Sequence, residues 1–218
     1  MAKHFKTDNH DPQKKLELRR YFLRKYHADK PPDVMDCCQG GGVLWRELRK
    51  EFAVASYWGL DLKPKKGRLK LDSVRVLQQP GWPQNVVDVD TYGDCWAHWE
   101  AMLPNIAKPT TVFLTRGHGG PNRITLSMYE LIAIGITIPR IHKMGGGITH
   151  TLGGIAISYC LTKTCDYGNI LVEAVEAVSD GNARYIGVRL QPQNGSGPVC
   201  QTEPQPQHPI DAKDQPHV

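Results

Sequence analysis

The chain has 218 residues, of which 40% are hydrophobic and 22% are charged, and it contains 21 glycines and 16 prolines. This composition predicts one globular domain with many turns and excludes a repeat array. No apolar run approaches the roughly 20 residues of a membrane span, and the polar start lacks the apolar core of a signal peptide. We therefore expect a soluble cytoplasmic protein with no membrane partner. Six cysteines without a Cys-x-x-Cys pair are expected to be reduced thiols, and no metal site is predicted.

The net charge of +5 is concentrated near the start of the chain. Residues 1–30 contain nine Lys or Arg and four Asp or Glu, whereas the remainder is balanced at 18 of each. A second basic cluster runs from Lys63 to Lys70. Because clustered cations attract phosphates, both segments are predicted contacts for nucleic acid. The alternative is a solvated surface, or packing in the case of the N-terminal helix.

The first half of the chain alternates predicted helices and strands. Residues Pro12 to Tyr26 have the spacing of an amphipathic helix, and Gly40–Gly42 lead into a helix that begins at Val43. Alternation of this kind predicts a parallel sheet. Three β-prone runs are predicted strands: Val34 to Cys38, Val54 to Leu60 and Asn85 to Asp90.

The second half of the chain contains one more predicted buried strand, and the β-rich runs after it predict an antiparallel arrangement. Helices are predicted at Cys95 to Ile106 and Ser127 to Ile134. The Pro-rich segment Gln191 to Val218 is predicted to be a disordered tail, which leaves 1–30 as a basic N-terminal segment and 31–190 as the main domain. Further β-rich runs are Thr110 to Thr115, Gly153 to Thr162, Asn169 to Val178 and Tyr185 to Leu190, the last two as a closing antiparallel hairpin.

The segment from Asp36 to Gly42 has the pattern of a nucleotide-binding turn. Glycines between a strand and a helix let a ligand approach the backbone N–H groups at the helix N-terminus. Asp61 stands 19 positions after Gly42, where an acidic residue of a βαβ unit accepts hydrogen bonds from ribose hydroxyls. The alternative for the glycines is a tight turn that needs positive φ. Asp61 is the predicted ribose ligand.

Four motifs in this order resemble the series found in class I S-adenosylmethionine-dependent methyltransferases. The resemblance implies a Rossmann-like α/β fold, with a mostly parallel seven-stranded sheet, helices on both faces and a C-terminal antiparallel hairpin. The fourth motif is similar to the Asp-Pro-Phe-Gly of tRNA guanine-N2 methyltransferases, without its proline. The motifs are Asp36-Cys37-Cys38-Gln39-Gly40-Gly41-Gly42, Gly59-Leu60-Asp61, Leu71-Asp72-Ser73 and Asp88-Val89-Asp90-Thr91-Tyr92-Gly93.

The same resemblance implies S-adenosylmethionine as cofactor and a role for each motif. If an exocyclic amine is the methyl acceptor, Asp90 could accept its N–H while Tyr92 stacks on an extruded base. The alternative is that the aspartate only caps the following helix. The implied cofactor contacts are Asp36 with Gly40, Gly41 and Gly42 near the methionyl part, Asp61 on the ribose, and Asp72 with Ser73 at the adenine. Cys37 and Leu62 are implied cofactor contacts as well.

Arg116 and His118 belong to a predicted cationic loop at the carboxyl end of a strand. Open α/β sheets bind ligands at that edge, so both residues are predicted to hold a substrate phosphate, with a plain surface loop as the alternative. The leading hypothesis is a methyltransferase acting on nucleic acid, with RNA slightly ahead of DNA. The alternatives are a small-molecule or protein methyltransferase, and a non-catalytic binding module with the same fold. The sequence leaves the oligomeric state open.

Overall fold

The computed structural model describes residues 11–63, 70–91, 93–117, 126–136, 146–179 and 183–193. Short 3-10 turns at Leu103–Asn105 and Cys165–Tyr167 connect some of the elements. The helices in these ranges are α1 (Pro12–Tyr26), α2 (Val43–Leu48), α3 (Ser73–Leu77), α4 (Trp96–Met102), α5 (Met128–Ala133) and α6 (Gly146–Thr162). The strands are β1 (Asp33–Asp36), β2 (Ser56–Gly59), β3 (Val86–Val89), β4 (Thr110–Arg116), β5 (Asn169–Val178) and β6 (Arg184–Pro192).

The strands form one sheet in the order β2-β1-β3-β4-β6-β5. Strands β1 to β4 are mutually parallel, and β6 runs antiparallel to both β4 and β5. The chain moves from β1 outward to β2 and then returns to place β3 on the other side of β1. Ligands of open α/β sheets bind at such a reversal of strand order, so the carboxyl ends of β1 and β3 mark the place to look for a site.

Helices cover both faces of the sheet. α3, α4 and α6 pack over one face, around buried residues such as Trp99 and Met102. α1 and α2 cover the other, where Phe22 and Trp45 are buried. The Phe22 ring also lies so close to β6 that a Cβ on Gly187 would be 2.4 Å from it. α1 is therefore part of the same core as the sheet.

Most of the predicted elements are confirmed. α1 has the predicted bounds, the four parallel strands lie within the predicted runs to about one residue, and the closing hairpin is β5 with β6. The described residues contain six strands, so a seventh is not confirmed. Beyond β2 they hold one isolated parallel bridge, between Asp61 and Lys70.

Two predictions are wrong. The run Gly153 to Thr162 is helical, as the second half of α6, and not a strand. Its apolar residues stand on every side of the helix, so a helical period is hard to see, and its Ile and Tyr residues favour a strand. The predicted tail is also too long by two residues, because β6 continues through Gln191 and Pro192.

Candidate active site at the carboxyl edge of the sheet

Strand β3 and the residue that follows it bring two acidic side chains towards α1, and each of them pairs with a cation of α1. Arg19 donates from Nε and Nη2 to the two oxygens of Asp88, at 2.7 and 2.6 Å. Trp45 of α2 donates its indole N–H to Asp88 at 2.7 Å. Both members of the ion pair are 1% exposed. Because a buried carboxylate needs partners for its charge, Asp88 anchors α1 and α2 to the centre of the sheet.

Asp90 lies one residue beyond the end of β3 and pairs with Lys15 of α1. The distance from Lys15 Nζ to Asp90 Oδ1 is 2.5 Å, and the lysine side chain is buried. Within the described part of the chain, this is the only hydrogen bond that Asp90 accepts. The second carboxylate oxygen is thus left for another donor, and about a fifth of the side chain is exposed.

Asp36, the last residue of β1, is the third carboxyl group of this cluster. Its register partner on β3 is Asp88. Tyr57 of β2 donates its hydroxyl to Asp36 Oδ2 at 2.6 Å and accepts a hydrogen bond from Gln39 Nε2 at 3.1 Å. Burial and the charge of Asp88 raise the pKa of Asp36 to about 7. This carboxyl group is therefore poised to change its charge near neutral pH.

The glycine turn after β1 is held against Asp61. Gly40 and Gly42 have φ values of 48° and 63°, a left-handed backbone that glycine adopts without strain. The Gly40 N–H donates to Asp61 Oδ2 at 2.8 Å, and the Lys63 N–H donates to Oδ1 at 2.8 Å. Leu62 beside it is exposed. The glycine turn and Asp61 are thus joined at one edge of the sheet.

The predicted adenine residues have structural partners of their own. Asp72 caps α3 by accepting from the N–H of Val74 at 3.0 Å. The Ser73 hydroxyl lies 2.9 Å from Nε2 of His98 on α4. Burial lowers the pKa of His98, whose Nδ1 is buried without a hydrogen-bond partner in the described structure. His98 is therefore a neighbour of the predicted adenine residue Ser73, although no motif of the sequence indicates it.

Arg116 occupies a different environment from the one predicted. It is the last residue of β4 and is buried, so it is not part of an exposed cationic loop. Its guanidinium donates to both oxygens of Glu130 on α5, at 2.6 and 2.7 Å. Glu130 also accepts from the Trp96 indole at 3.0 Å. This buried pair ties β4 to α4 and α5, while His118 lies outside the described residues.

The loop after β3 is fixed on both sides of Tyr92, which itself lies outside the described residues. Thr91 donates its hydroxyl to the carbonyl of Thr115 at 3.0 Å. The carbonyl of Gly93 accepts from the N–H of Gly117 at 2.8 Å. The loop that carries the fourth motif is therefore held to the end of β4.

Cys37 is the one predicted cofactor contact whose side chain lies in the apolar core. Its backbone N–H donates to the carbonyl of Asp88 at 2.8 Å. Its thiol is buried, and burial raises its pKa well above the ordinary range. At the carboxyl end of β1, Cys37 therefore acts through its backbone hydrogen bond to β3, and its thiol is not a reactive group of the site.

Four partners of the predicted acids were not identified from the sequence as site residues. Lys15 and Arg19 lie in the segment that the sequence predicts as a basic surface, and Trp45 and Tyr57 belong to none of the predicted motifs. Lys15 and Arg19 stand on the same face of the helical pattern as Leu18 and Phe22. A basic residue among apolar ones on a helix face is the sequence signal that could have indicated an inward-facing cation. Within the described ranges, no group of three or more His, Cys, Asp or Glu side chains could hold a metal ion, and no helix is long and apolar enough to cross a membrane.

Solved structures similar to this chain have the same fold. Trm1 from Pyrococcus horikoshii, in complex with S-adenosyl-L-methionine, superposes with a TM-score of 0.60 at 13% identity over 88% of this chain. A candidate rRNA methylase from Clostridium thermocellum gives 0.51 at 9% identity, covering 82% of this chain and 97% of that one. A candidate hemolysin from Streptococcus thermophilus gives 0.53 at 7% identity, covering 87% and 70%.

The chain therefore has the fold of class I S-adenosylmethionine-dependent methyltransferases, as the order of its motifs implies. It spans 59% of the length of the Trm1 chain. No protein-family model and no curated protein sequence matches it.

Proposed function

We propose that this chain is an S-adenosylmethionine-dependent methyltransferase whose cofactor binds at the carboxyl ends of β1 and β2. The observation that carries the proposal is the contact between the glycine turn and Asp61, on a fold shared with Trm1 bound to this cofactor. The residues fit the group: a carboxylate oriented by two backbone N–H donors can accept from ribose hydroxyls, and a turn at positive φ lets a ligand approach.

Asp90 is the residue we assign to the acceptor. S-adenosylmethionine, when bound, would supply an electrophilic methyl group on a sulfonium. Asp90 would accept the N–H of an acceptor amine through the oxygen that Lys15 leaves open, and so orient its lone pair. Lys15 holds the carboxylate in place for this role. Asp61 and the glycine turn act only in binding.

For the substrate we propose nucleic acid, with RNA ahead of DNA. The support is the basic N-terminal charge, the resemblance of the fourth motif to tRNA guanine-N2 methyltransferases, and the fold shared with a candidate rRNA methylase. Within α1, Lys15 and Arg19 are buried in ion pairs, so a phosphate contact must come from other cations.

A small-molecule or protein acceptor is the second candidate. It is favoured by the fact that the described cations of α1 are largely used inside the chain. Besides the two buried pairs, Arg20 pairs with Glu51 and Lys25 with Glu173. Much of the positive charge of α1 is therefore paired with carboxylates of the same chain, two of these pairs being buried and two exposed.

Transfer of a radiolabelled methyl group from S-adenosylmethionine tests both candidates. Purified protein is incubated with separate pools of RNA, DNA, protein and metabolites, and Asp90→Ala serves as the matched control. We expect label in RNA from the native chain and none from the variant. Label in the protein or metabolite pool would replace the nucleic-acid proposal with the second candidate. Label in no pool, from protein that binds the cofactor, would favour a non-catalytic module.

A further inference from the structure

The hydroxyl of Tyr57 connects two parts of the candidate cofactor site. It donates to Asp36 at the end of β1 and accepts from Gln39 in the glycine turn. β2 pairs with β1 in parallel, and Tyr57 is the register partner of Val34, two residues before Asp36. The tyrosine thus reaches along the sheet to the edge where the turn begins.

Gln39 is held at this point by several contacts. Its N–H donates to the carbonyl of Leu60 at 2.9 Å, and its own carbonyl accepts from Gly42 at 2.6 Å. The side-chain amide lies directly over Gly59, where an added Cβ would be 2.2 Å from the amide atoms. Gly59 therefore makes room for Gln39, and Tyr57 provides its hydrogen-bond acceptor.

One carboxylate oxygen of Asp36, Oδ1, accepts no hydrogen bond from the described residues. Among the described residues, Tyr57 is the only donor to its carboxyl group, and the donated bond goes to Oδ2. The residue is buried, with 5% of its surface exposed at the carboxyl end of β1. Counting Asp36, Asp88 and Asp90 against Lys15 and Arg19, the cluster carries one uncompensated negative charge when all three carboxyls are ionised. A cation complements it.

We propose that Tyr57 is a positioning residue, which holds the Asp36 carboxylate and the Gln39 side chain in the arrangement that receives the ammonium group of the cofactor's amino-acid end. This inference rests on the proposed function. Tyr57 belongs to none of the four motifs. Its role follows from the hydrogen bonds that its hydroxyl makes with Asp36 and Gln39. Removing that hydroxyl frees Gln39 and leaves Asp36 without its donor.

The ionisation of Asp36 gives this role a measurable signature. The charged groups that face Asp36 are Asp88, Asp90 and Arg19, and burial with the charge of Asp88 raises its pKa to about 7. A ligand cation binds the ionised form, so affinity should increase as pH rises through 7 and then level off. The hydrogen bond from Tyr57 favours the ionised form of Asp36. Its loss should therefore move the midpoint of the affinity-versus-pH profile upward by about one pH unit.

The test is calorimetric titration with S-adenosylhomocysteine, which carries the ammonium group without the sulfonium, between pH 5.5 and 8.5. For Tyr57→Phe we expect about fivefold weaker binding at pH 7 and a smaller loss at pH 8.5, where Asp36 is ionised and only the released Gln39 side chain still weakens binding. Tyr21→Phe is the matched control, because it removes a tyrosine hydroxyl that bonds Glu173 instead. It should leave the whole profile unchanged.

A second variant separates positioning from general damage. Gln39→Leu removes the amide but keeps the donor to Asp36, so it should weaken binding at every pH with little movement of the midpoint. If Tyr57→Phe binds S-adenosylhomocysteine as tightly as the native chain at every pH, the positioning role is wrong. It is also wrong if the variant loses the same factor in affinity at every pH. If the native chain does not bind S-adenosylhomocysteine at any pH, the proposed function itself fails, which is a different result.

Discussion

Replacing Arg19 by methionine tests whether α1 is an integral part of the fold through its ion pair with Asp88. The pair is bidentate, with N–O distances of 2.6 and 2.7 Å, and both side chains are 1% exposed. Arg19→Met would leave a buried carboxylate with the Trp45 indole as its remaining donor. Removing one partner of such a pair costs about 3–5 kcal/mol, so we expect this decrease in the free energy of unfolding. For a chain of this size the melting temperature should fall by roughly 6–20 °C.

Urea denaturation of the native chain and three variants checks this value. Arg20→Met is the control on the same helix, because its partner Glu51 is exposed at the surface, and it should leave the midpoint nearly unchanged. The double variant Arg19→Met with Asp88→Asn removes the unpaired charge and should recover part of the loss. If Arg19→Met is as stable as the native chain, or if the double variant is no more stable than the single one, the role assigned to this pair is wrong.

Three other predictions concern cofactor binding, methyl transfer and the pH dependence of folding stability. Asp61→Ala should weaken S-adenosylmethionine binding about tenfold or more by calorimetry, because it removes a charged hydrogen-bond acceptor; unchanged affinity would refute the ribose assignment. Asp90→Ala should keep cofactor affinity within about threefold but reduce methyl transfer by roughly 10²–10⁴, and a comparable loss of binding would count against its acceptor role. Burial and the charge of Arg189 lower the pKa of His27 to about 4, so the unfolded chain takes up this proton first and stability should decrease as pH falls from 6.5 to 4. His27→Gln should show a smaller decrease over that window in urea titrations, and an equal decrease would contradict the assignment.

The parallel half of the sheet could be predicted because its signals are local. A buried strand such as Thr110–Arg116 is an apolar and β-branched run, and the turn at Gly40–Gly42 needs residues that adopt positive φ. Each signal lies within a few residues of the element that it predicts. The acidic residues at the ends of β1, β2 and β3 could be placed for the same reason, since a strand ends where its apolar run ends.

The partners of those acids could not be predicted, because they depend on long-range contacts. Arg19 and Asp88 are 69 positions apart, and Lys15 and Asp90 are 75 apart. In the sequence both cations appear in a run of basic residues that looks like a solvated helix face. Only the docking of α1 on the sheet shows that these two face inward.

Arg116 illustrates the same limit at a strand end. Its position before a glycine-rich segment predicts a loop, whereas the strand continues through it and Glu130 neutralises it. A neighbouring motif does not show whether a cation is paired, since the pairing carboxylate comes from another helix. The fold was predictable in outline, and the assignment of each charged group required the tertiary contacts.

Direct titration of the purified chain with S-adenosylmethionine tests the central claim, that the carboxyl edge of β1 and β2 is a cofactor site. We predict saturable binding with one site per chain, lost or strongly weakened in Asp61→Ala and retained in Asp90→Ala. Absence of binding at millimolar ligand, in protein shown to be folded by its urea transition, would contradict the claim and leave the fold without this chemistry.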